Sequence, residues 1–344
     1  MHIHTNRNRQ YFYQLWLPNK SAIPHVMRDH LSLVQASDVG AKSGAMKSGQ
    51  NFPVDCSFWT ASLILLFVLF FGSAITTIAQ NGSSSVSAAN LDWQTEQVAE
   101  GVYWKSYLGD DLFDAKLSIN VLEIKPAAVS AMLKIAYREG ELIKTSDLAA
   151  EQNALAAING SFFHADPGGS VVFLKVDGRI IAEGAVNRNP YTENGAIAWS
   201  KNGHPKILQK PDEGWRSADE ENILSSGPLL IQNKEFENFR NDPFNQNRHP
   251  RTAVAITENN HLLLVTVDGR SFQSYGMTIP ELADFLKSLG ATDALNLDGG
   301  GSTSMWIKEK NIDGIVNYPS DNFEFDHAGE RGVSNALLLL DNQY

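Results

Sequence analysis

The sequence predicts an α+β fold in which mixed or antiparallel sheets dominate and helices are few. Three observations carry this. Short β-compatible runs recur from Lys116 to Asp341 with turn residues between them, one longer segment has clear helical spacing, and 344 residues are enough for a domain with a sizeable core. No internal repeat breaks the pattern.

Taken in order, residues 1–57 are polar, lack sustained periodicity and hold four of the nine histidines, so they read as a disordered tail or as sequence ahead of a true start at Met46. Phe58 to Ala79 carries no charge, and its centre, Leu63 to Phe71, is unbroken apolar. That stretch is long enough to cross a bilayer, yet its centre has the length of a signal-peptide core. Thr77, Ile78 and Ala79 resemble a small-residue cleavage site, and counting from Met46 gives a signal peptide of ordinary proportions with Lys47 at its basic end. The alternative is a type II membrane anchor. Either reading exports the downstream domain to a periplasmic or extracellular location, with membrane contact only through residues 58–79 if these are uncleaved. Residues 80–92 form a Ser/Asn/Gly-rich linker. A single domain is expected over 93–344.

Within that domain Lys116–Ile124 and Ser130–Tyr137 read as a strand pair around Pro126, Ser146–Gln152 as a short helix with a Ser or Thr cap, and Ala154–Ile158 as a buried strand. Asp177-Gly178 between two apolar runs signals a hairpin. Further strands are expected at Gly195–Ser200, Leu229–Gln232, Thr252–Thr257, His261–Val267, Thr292–Leu297, Ser304–Lys308 and Asn335–Asp341. The helix from Thr278 shows a capping box, Pro280 in its first turn, apolar spacing at Leu282, Phe285, Leu286 and Leu289, and Gly290 as its stop.

Net charge narrows the chemistry. The chain carries 28 Lys/Arg and 39 Asp/Glu; residues 1–57 hold six and three of these, leaving 28−6 = 22 against 39−3 = 36, a net of −14. A nucleic-acid partner is excluded, and any phosphate site must be a local arginine cluster. The single cysteine, Cys56, rules out an internal disulfide or a cysteine metal site, and no HxxxH or HExxH spacing marks a zinc centre. No cofactor is implied.

The stretch that concentrates chemistry is Asn296–Met305, NLDGGGSTSM, a strand running into three glycines. Asp298 would project a carboxylate at the strand end, the amides of Gly299, Gly300 and Gly301 would form an anion-binding concavity, and Ser302, Thr303 and Ser304 add hydroxyls. A tight hairpin with a capping Asp explains it equally well. Four other polar clusters fall at strand ends or loops: Asn159 to Phe163 with Ser161, Arg251-Thr252, Asp268-Gly269-Arg270, and Glu330-Arg331 with Asn335. Singly, each has a structural explanation as a turn or a solvated charge. The glycine run fits neither G-x-S-x-G, which fails at Ser304, nor a P-loop, which needs a lysine.

The order and wording of these clusters resemble the phosphodiester glycosidase family. The resemblance covers roughly Ser146 to Leu340 and rests on ALAAINGSFF, SSGPLLI, HPRTAVAI, LLLVTVDGR, the block from Ser274 to Met305, and GERGVSNALLL. Residues 1–115 are hardly covered, and Gly332 stands where many relatives carry proline. The resemblance implies a hydrolase that cleaves between an anomeric carbon and a phosphodiester oxygen, releasing free sugar and a phosphomonoester from a glycosyl phosphodiester or phosphate-linked glycan, such as an N-acetylglucosamine-1-phosphodiester or an exopolysaccharide. A departing phosphate needs charge neutralisation more than a proton, so Arg251, Arg270 and Arg331 are phosphate candidates, with the glycine amides as further donors. The oxocarbenium-like sugar needs a carboxylate. Asp298 is the candidate nucleophile or stabiliser and Glu330 or Asp268 the water activator, with Asn159, Ser161, Asn296, Ser302 and Thr303 placed to hold hydroxyls. Phe162, Phe163, Tyr275 and Trp306 would stack on a sugar or belong to the core. Two alternatives remain: a metal-dependent phosphodiesterase with a divalent cation between Asp268 and Asp298, and a non-catalytic binder of phosphate-linked surface glycans.

Overall fold

The computed structural model describes residues 88–129, 133–184, 190–201, 203–311 and 313–341. The tail, the apolar segment 58–79 and most of the linker therefore lie outside the described residues. Among those described, no helix is long and apolar enough to cross a membrane.

Sheets dominate, and every named strand pair is antiparallel, which settles the choice left open between mixed and antiparallel sheets. An eight-stranded sheet runs Gln94–Ala99, Val102–Leu112, Ala115–Ile124, Leu262–Val267, Arg251–Thr257, Ala291–Asn296, Leu229–Gln232 and Glu235–Phe236. A five-stranded sheet holds Lys206–Gln209, Gly195–Trp199, Asn222–Ser226, Phe173–Val176 and Arg179–Glu183; a four-stranded one holds Met305–Ile307, Ala154–Asn159, Asn335–Leu340 and Leu133–Tyr137. Short turns make this topology. Asp177 and Gly178 both take positive φ, at 49° and 79°, as do Phe113 and Asp114 at 56° and 47°. Two consecutive left-handed residues match the twist of the strands they join.

The central strands Ala115–Ile124, Arg251–Thr257 and Leu262–Val267 are buried on both faces, which is why their apolar runs hardly alternate. On one face Leu122, Val254, Leu264 and Leu295 pack with Ile158, Leu174, Ile197 and Leu337 from the two smaller sheets. On the other, Ile119, Val121, Val265 and Ala255 pack against Leu282, Phe285 and Leu286 of the helix Ile279–Ser288. That helix has the expected capping box: Glu281 N–H donates to Thr278 Oγ1 at 3.1 Å and Thr278 N–H to Glu281 Oε2 at 2.9 Å.

Two expectations are corrected. The strands around Pro126 both form but do not pair: Ala115–Ile124 lies between Val102–Leu112 and Leu262–Val267, whereas Leu133–Tyr137 pairs with Asn335–Leu340. Pro126 begins one helical turn, Pro126–Val129, in place of a hairpin turn. The short helix is Thr145–Glu151, and no local Ser or Thr caps it. Its first-turn Ser146 N–H donates instead to the distant carboxylate of Glu330, at 2.9 Å.

Candidate active site

The site forms where the strands Ala154–Asn159 and Ala291–Asn296, from two different sheets, end side by side. Asp298 N–H donates to Gly160 O at 3.0 Å. Asn159, fully buried, fixes the rest: its Nδ2 donates to Asp298 O at 2.7 Å, and its Oδ1 accepts from Thr252 Oγ1 at 2.7 Å and Ser304 N–H at 3.0 Å. Next to it, Asn335 Oδ1 accepts the Ser161 N–H at 2.8 Å. Gly160 leaves room for that side chain, since a Cβ there would lie 1.9 Å from Asn335 Oδ1. Asn159, Ser161 and Asn335 therefore build the frame.

The three glycines of the loop answer to three different neighbours. A Cβ on Gly299 would lie 2.6 Å from Pro250 O, one on Gly300 2.8 Å from Arg270 Nη2, and one on Gly301 2.5 Å from Arg331 Nη2 and 2.7 Å from Asp321 Oδ1. Two guanidinium groups thus lie directly on the bare backbone beside Asp298. The amides are less available than the glycine run suggests, because Gly299 N–H donates to Asp298 Oδ1 at 3.0 Å and Gly300 N–H to Pro250 O at 2.9 Å. A concavity made of all three N–H groups is not what this loop forms.

The arginines divide sharply. Arg270, at φ 62°, keeps its side chain exposed; partial desolvation and then Arg331 lower its pKa, with Asp321 and Asp298 opposing. Arg331 donates from Nε to Asp321 Oδ1 at 2.8 Å, and its Nη2 reaches the same oxygen. Arg251 is different. It is 2% exposed, its Nε donates to Met277 O at 2.9 Å, and its Nη2 donates to Phe244 O at 2.7 Å and Asn247 O at 3.1 Å. Burial lowers its pKa to about 9, so it stays cationic, and its Nε and Nη2 donors are spent on backbone carbonyls of Phe244, Asn247 and Met277.

The acids divide as well. Asp298 is half-exposed at the loop. Asp268 is buried: its Oδ2 accepts from Ser118 Oγ at 2.6 Å, and its Oδ1 from Asn317 Nδ2 at 2.8 Å and Tyr318 N–H at 2.9 Å. Burial pushes its carboxyl up, while these donors oppose that shift. A carboxylate walled in by donors is in place to anchor the Tyr318 segment, which removes Asp268 as a water activator and as half of a divalent-cation pair with Asp298. Glu330 keeps its candidacy. It is partly buried, burial pushes its carboxyl up, and it accepts from Ser146 Oγ at 2.5 Å and Ser304 Oγ at 3.1 Å.

Of the hydroxyl-binding candidates, Asn296 donates through Nδ2 to Gly227 O and Leu297 O, which fixes its own strand end. Its Oδ1, Ser302 Oγ and Thr303 Oγ1 are buried without a protein partner, so three polar atoms of one motif are unsatisfied within the fold. Among the aromatics, Trp306 belongs to the core and donates to Asp313 O, whereas Phe162 and Phe163 are half-buried and Tyr275 is exposed.

Two members were not foreseen. Asp321 sits in an acidic, aromatic loop with no motif around it, and only the fold brings it to Arg331. His249 is held near Arg251 and Arg270; burial and then those two charges lower its pKa to about 4, so its imidazole is neutral at physiological pH. The HPR triplet was visible, but not the direction of the ring.

Fold and site together define an all-antiparallel α+β protein with an acid and two arginines gathered on a triple-glycine loop. The chain belongs to the phosphodiester glycosidase family, whose signature spans residues 152–340. It is 33% identical over 106 residues to the SPbeta prophage-derived protein YomE of Bacillus subtilis strain 168, covering 26% of this chain and 16% of that protein. It is 37% identical over 71 residues to the Mus musculus N-acetylglucosamine-1-phosphodiester alpha-N-acetylglucosaminidase, covering 21% of this chain and 13% of the relative. The similarity thus spans well under a fifth of either relative's length. Among solved structures, the zebrafish N-acetylglucosamine-1-phosphodiester alpha-N-acetylglucosaminidase catalytic domain, auto-inhibited by its pro-peptide, superposes with a TM-score of 0.57 at 17% identity, covering 73% of this chain and 84% of that one. That likeness is one of fold.

Proposed function

We propose that this chain is an exported hydrolase that cleaves the anomeric C–O bond of a glycosyl phosphodiester, giving free sugar and a phosphomonoester. The observation that carries the reading is the placement of Arg270 and Arg331 on Gly300 and Gly301, next to the carboxylate of Asp298. Two guanidinium groups neutralise a diester phosphate and stabilise the charge that grows as it departs. Asp298, beside them, serves the anomeric carbon as nucleophile or electrostatic stabiliser of the oxocarbenium-like state. Glu330 activates water: burial holds its carboxyl nearer to neutrality than an exposed one, which suits a general base. The unpartnered polar atoms of Asn296, Ser302 and Thr303 suit a polyol ligand.

The test is turnover of a chromogenic ester of N-acetylglucosamine 1-phosphate in ¹⁸O-water, with and without chelator. Label in the released sugar, insensitivity to chelator, and a loss of about a hundredfold or more in kcat for Asp298→Asn with an unchanged melting temperature are expected. Label in phosphate together with chelator sensitivity would establish a metallophosphodiesterase instead. Tight binding of the ester, with no turnover across a panel of sugar phosphodiesters, would leave a glycan-binding protein.

A further inference from the structure

A polar row crosses the eight-stranded sheet at right angles to its strands. Thr252 is registered opposite Thr266, Thr266 opposite Asn120, Asn120 opposite Ser106, and Ser106 opposite Gln94. Registered partners in an antiparallel sheet share a face. The row therefore runs from Thr252, whose hydroxyl donates to Asn159 in the candidate active site, to the edge strand. Thr266 Oγ1, fully buried in its middle, has no partner within the fold.

The outer end of the row opens into a cavity of about 490 Å³, walled by Gln94, Ser106, Asn120, Trp104, Asp111 and Tyr318. That volume falls in the ordinary range of small-molecule sites. The indole N–H of Trp104 is committed to Asn120 Oδ1 at 3.0 Å, which leaves its half-buried ring as an apolar wall. Tyr318 is held rigid by stacking on Phe325 and His327, with ring centroids 3.9 and 4.5 Å apart. Asp92 and Asp111 add exposed carboxylates, no arginine among the described residues lines the space, and Lys310, which reaches toward Trp104, is paired with Glu96. Such a lining repels phosphate. Its many acceptors and aromatic walls match the hydroxyl donors and C–H faces of an uncharged sugar.

One wall is shared with the candidate active site. Tyr318 lines the cavity and is anchored by Asp268, while Asp321, three residues on, holds Arg331. We propose that this cavity is a second saccharide-binding site, which takes an uncharged hexose or N-acetylhexosamine unit of a glycan whose phosphate-linked end lies at Asp298. The placement of that end rests on the hydrolase reading; the saccharide site does not.

Binding to the full chain is measured without turnover, by titration calorimetry with N,N′-diacetylchitobiose, maltose and mannobiose. At least one disaccharide should bind, about tenfold more weakly in Trp104→Ala and several-fold more weakly in Gln94→Ala, with no change in Arg270→Ala. Gln94 lies exposed on the edge strand, so its variant decides the matter should Trp104→Ala fail to fold. The proposal is overturned if none of the three binds, if Gln94→Ala binds with undiminished affinity, or if binding vanishes in Arg270→Ala, which would place the sugar at the glycine loop. Because no hydrolysis is read, an inactive enzyme with normal disaccharide binding would defeat the hydrolase reading and leave this site standing.

Discussion

At the scale of single residues, Asp321 is the resident counter-ion of the two arginines proposed to meet the phosphate. Its carboxylate holds Arg331 and opposes the lowering of Arg270. Asp321→Asn should therefore tighten inhibition by inorganic phosphate by about fivefold, the scale of one partly exposed ion pair. Weaker inhibition would mean instead that Asp321 orients Arg331 for its ligand. Glu330 makes a prediction in pH. Ser146 and Ser304 favour its ionised form against burial, so removing one of those donors by Ser304→Ala raises its pKa further. If Glu330 is the base, the acid limb of kcat/KM must move to higher pH while the basic limb stays put; a purely structural carboxylate would lower rate without moving the limb. Residue types were legible in the motifs, but the directions of their side chains were not. Arg251 and Arg270 are equally prominent in their motifs, yet one is engaged by three carbonyls and the other lies on the glycine loop. Asp268 and Asp298 are each followed by glycine, yet only one reaches the surface. What separates them is tertiary burial, which motif spacing does not encode.

At the scale of elements, legibility followed turn and cap chemistry. The helix Ile279–Ser288 was readable because Thr278, Pro280, Glu281 and Gly290 each act locally, and the hairpin at Asp177-Gly178 for the same reason. The strands Gln94–Ala99 and Val102–Leu112 were not. The first is a largely exposed edge strand, and the second joins its neighbour through Phe113-Asp114, a left-handed pair without glycine or asparagine in which Asp114 is the sole turn residue and Phe113 masks it. Asn222–Ser226 was also missed, being short and rich in serine and asparagine although wholly buried. The glycine loop yields a prediction of its own kind. Gly299 faces the Pro250 carbonyl, which cannot swing aside, so Gly299→Ala should cost about 2 kcal/mol of stability. Gly301 faces the ends of Arg331 and Asp321, which can, so Gly301→Ala should leave the melting temperature nearly unchanged and lower kcat/KM about tenfold. Chemical denaturation and steady-state kinetics on the two variants separate a loop shaped for folding from one shaped for its ligand.

At the scale of the whole molecule, the site exists only because two sheets are held in register at their ends. Asn159 is the central fastener of that joint. It belongs to the four-stranded sheet, accepts from Thr252 of the eight-stranded sheet, and clasps both ends of the loop through Asp298 O and Ser304 N–H. A fully buried amide with three partners leaves a donor and two acceptor bonds unmade when it is removed. Asn159→Ala should therefore cost about 3 kcal/mol, read as a lower denaturant midpoint with an unchanged m value. Asn159→Asp is the more discriminating variant. It keeps an oxygen for Thr252 and Ser304 but sets an acceptor against Asp298 O, next to the carboxylate proposed to face the sugar. If the joint serves only to bind the sheets, Asn159→Asp recovers part of the lost stability and a matching part of the activity. If it also aims Asp298, stability returns and kcat does not, and hydrogen exchange slows again across Ala154–Asn159 while the amides of residues 298–304 remain fast.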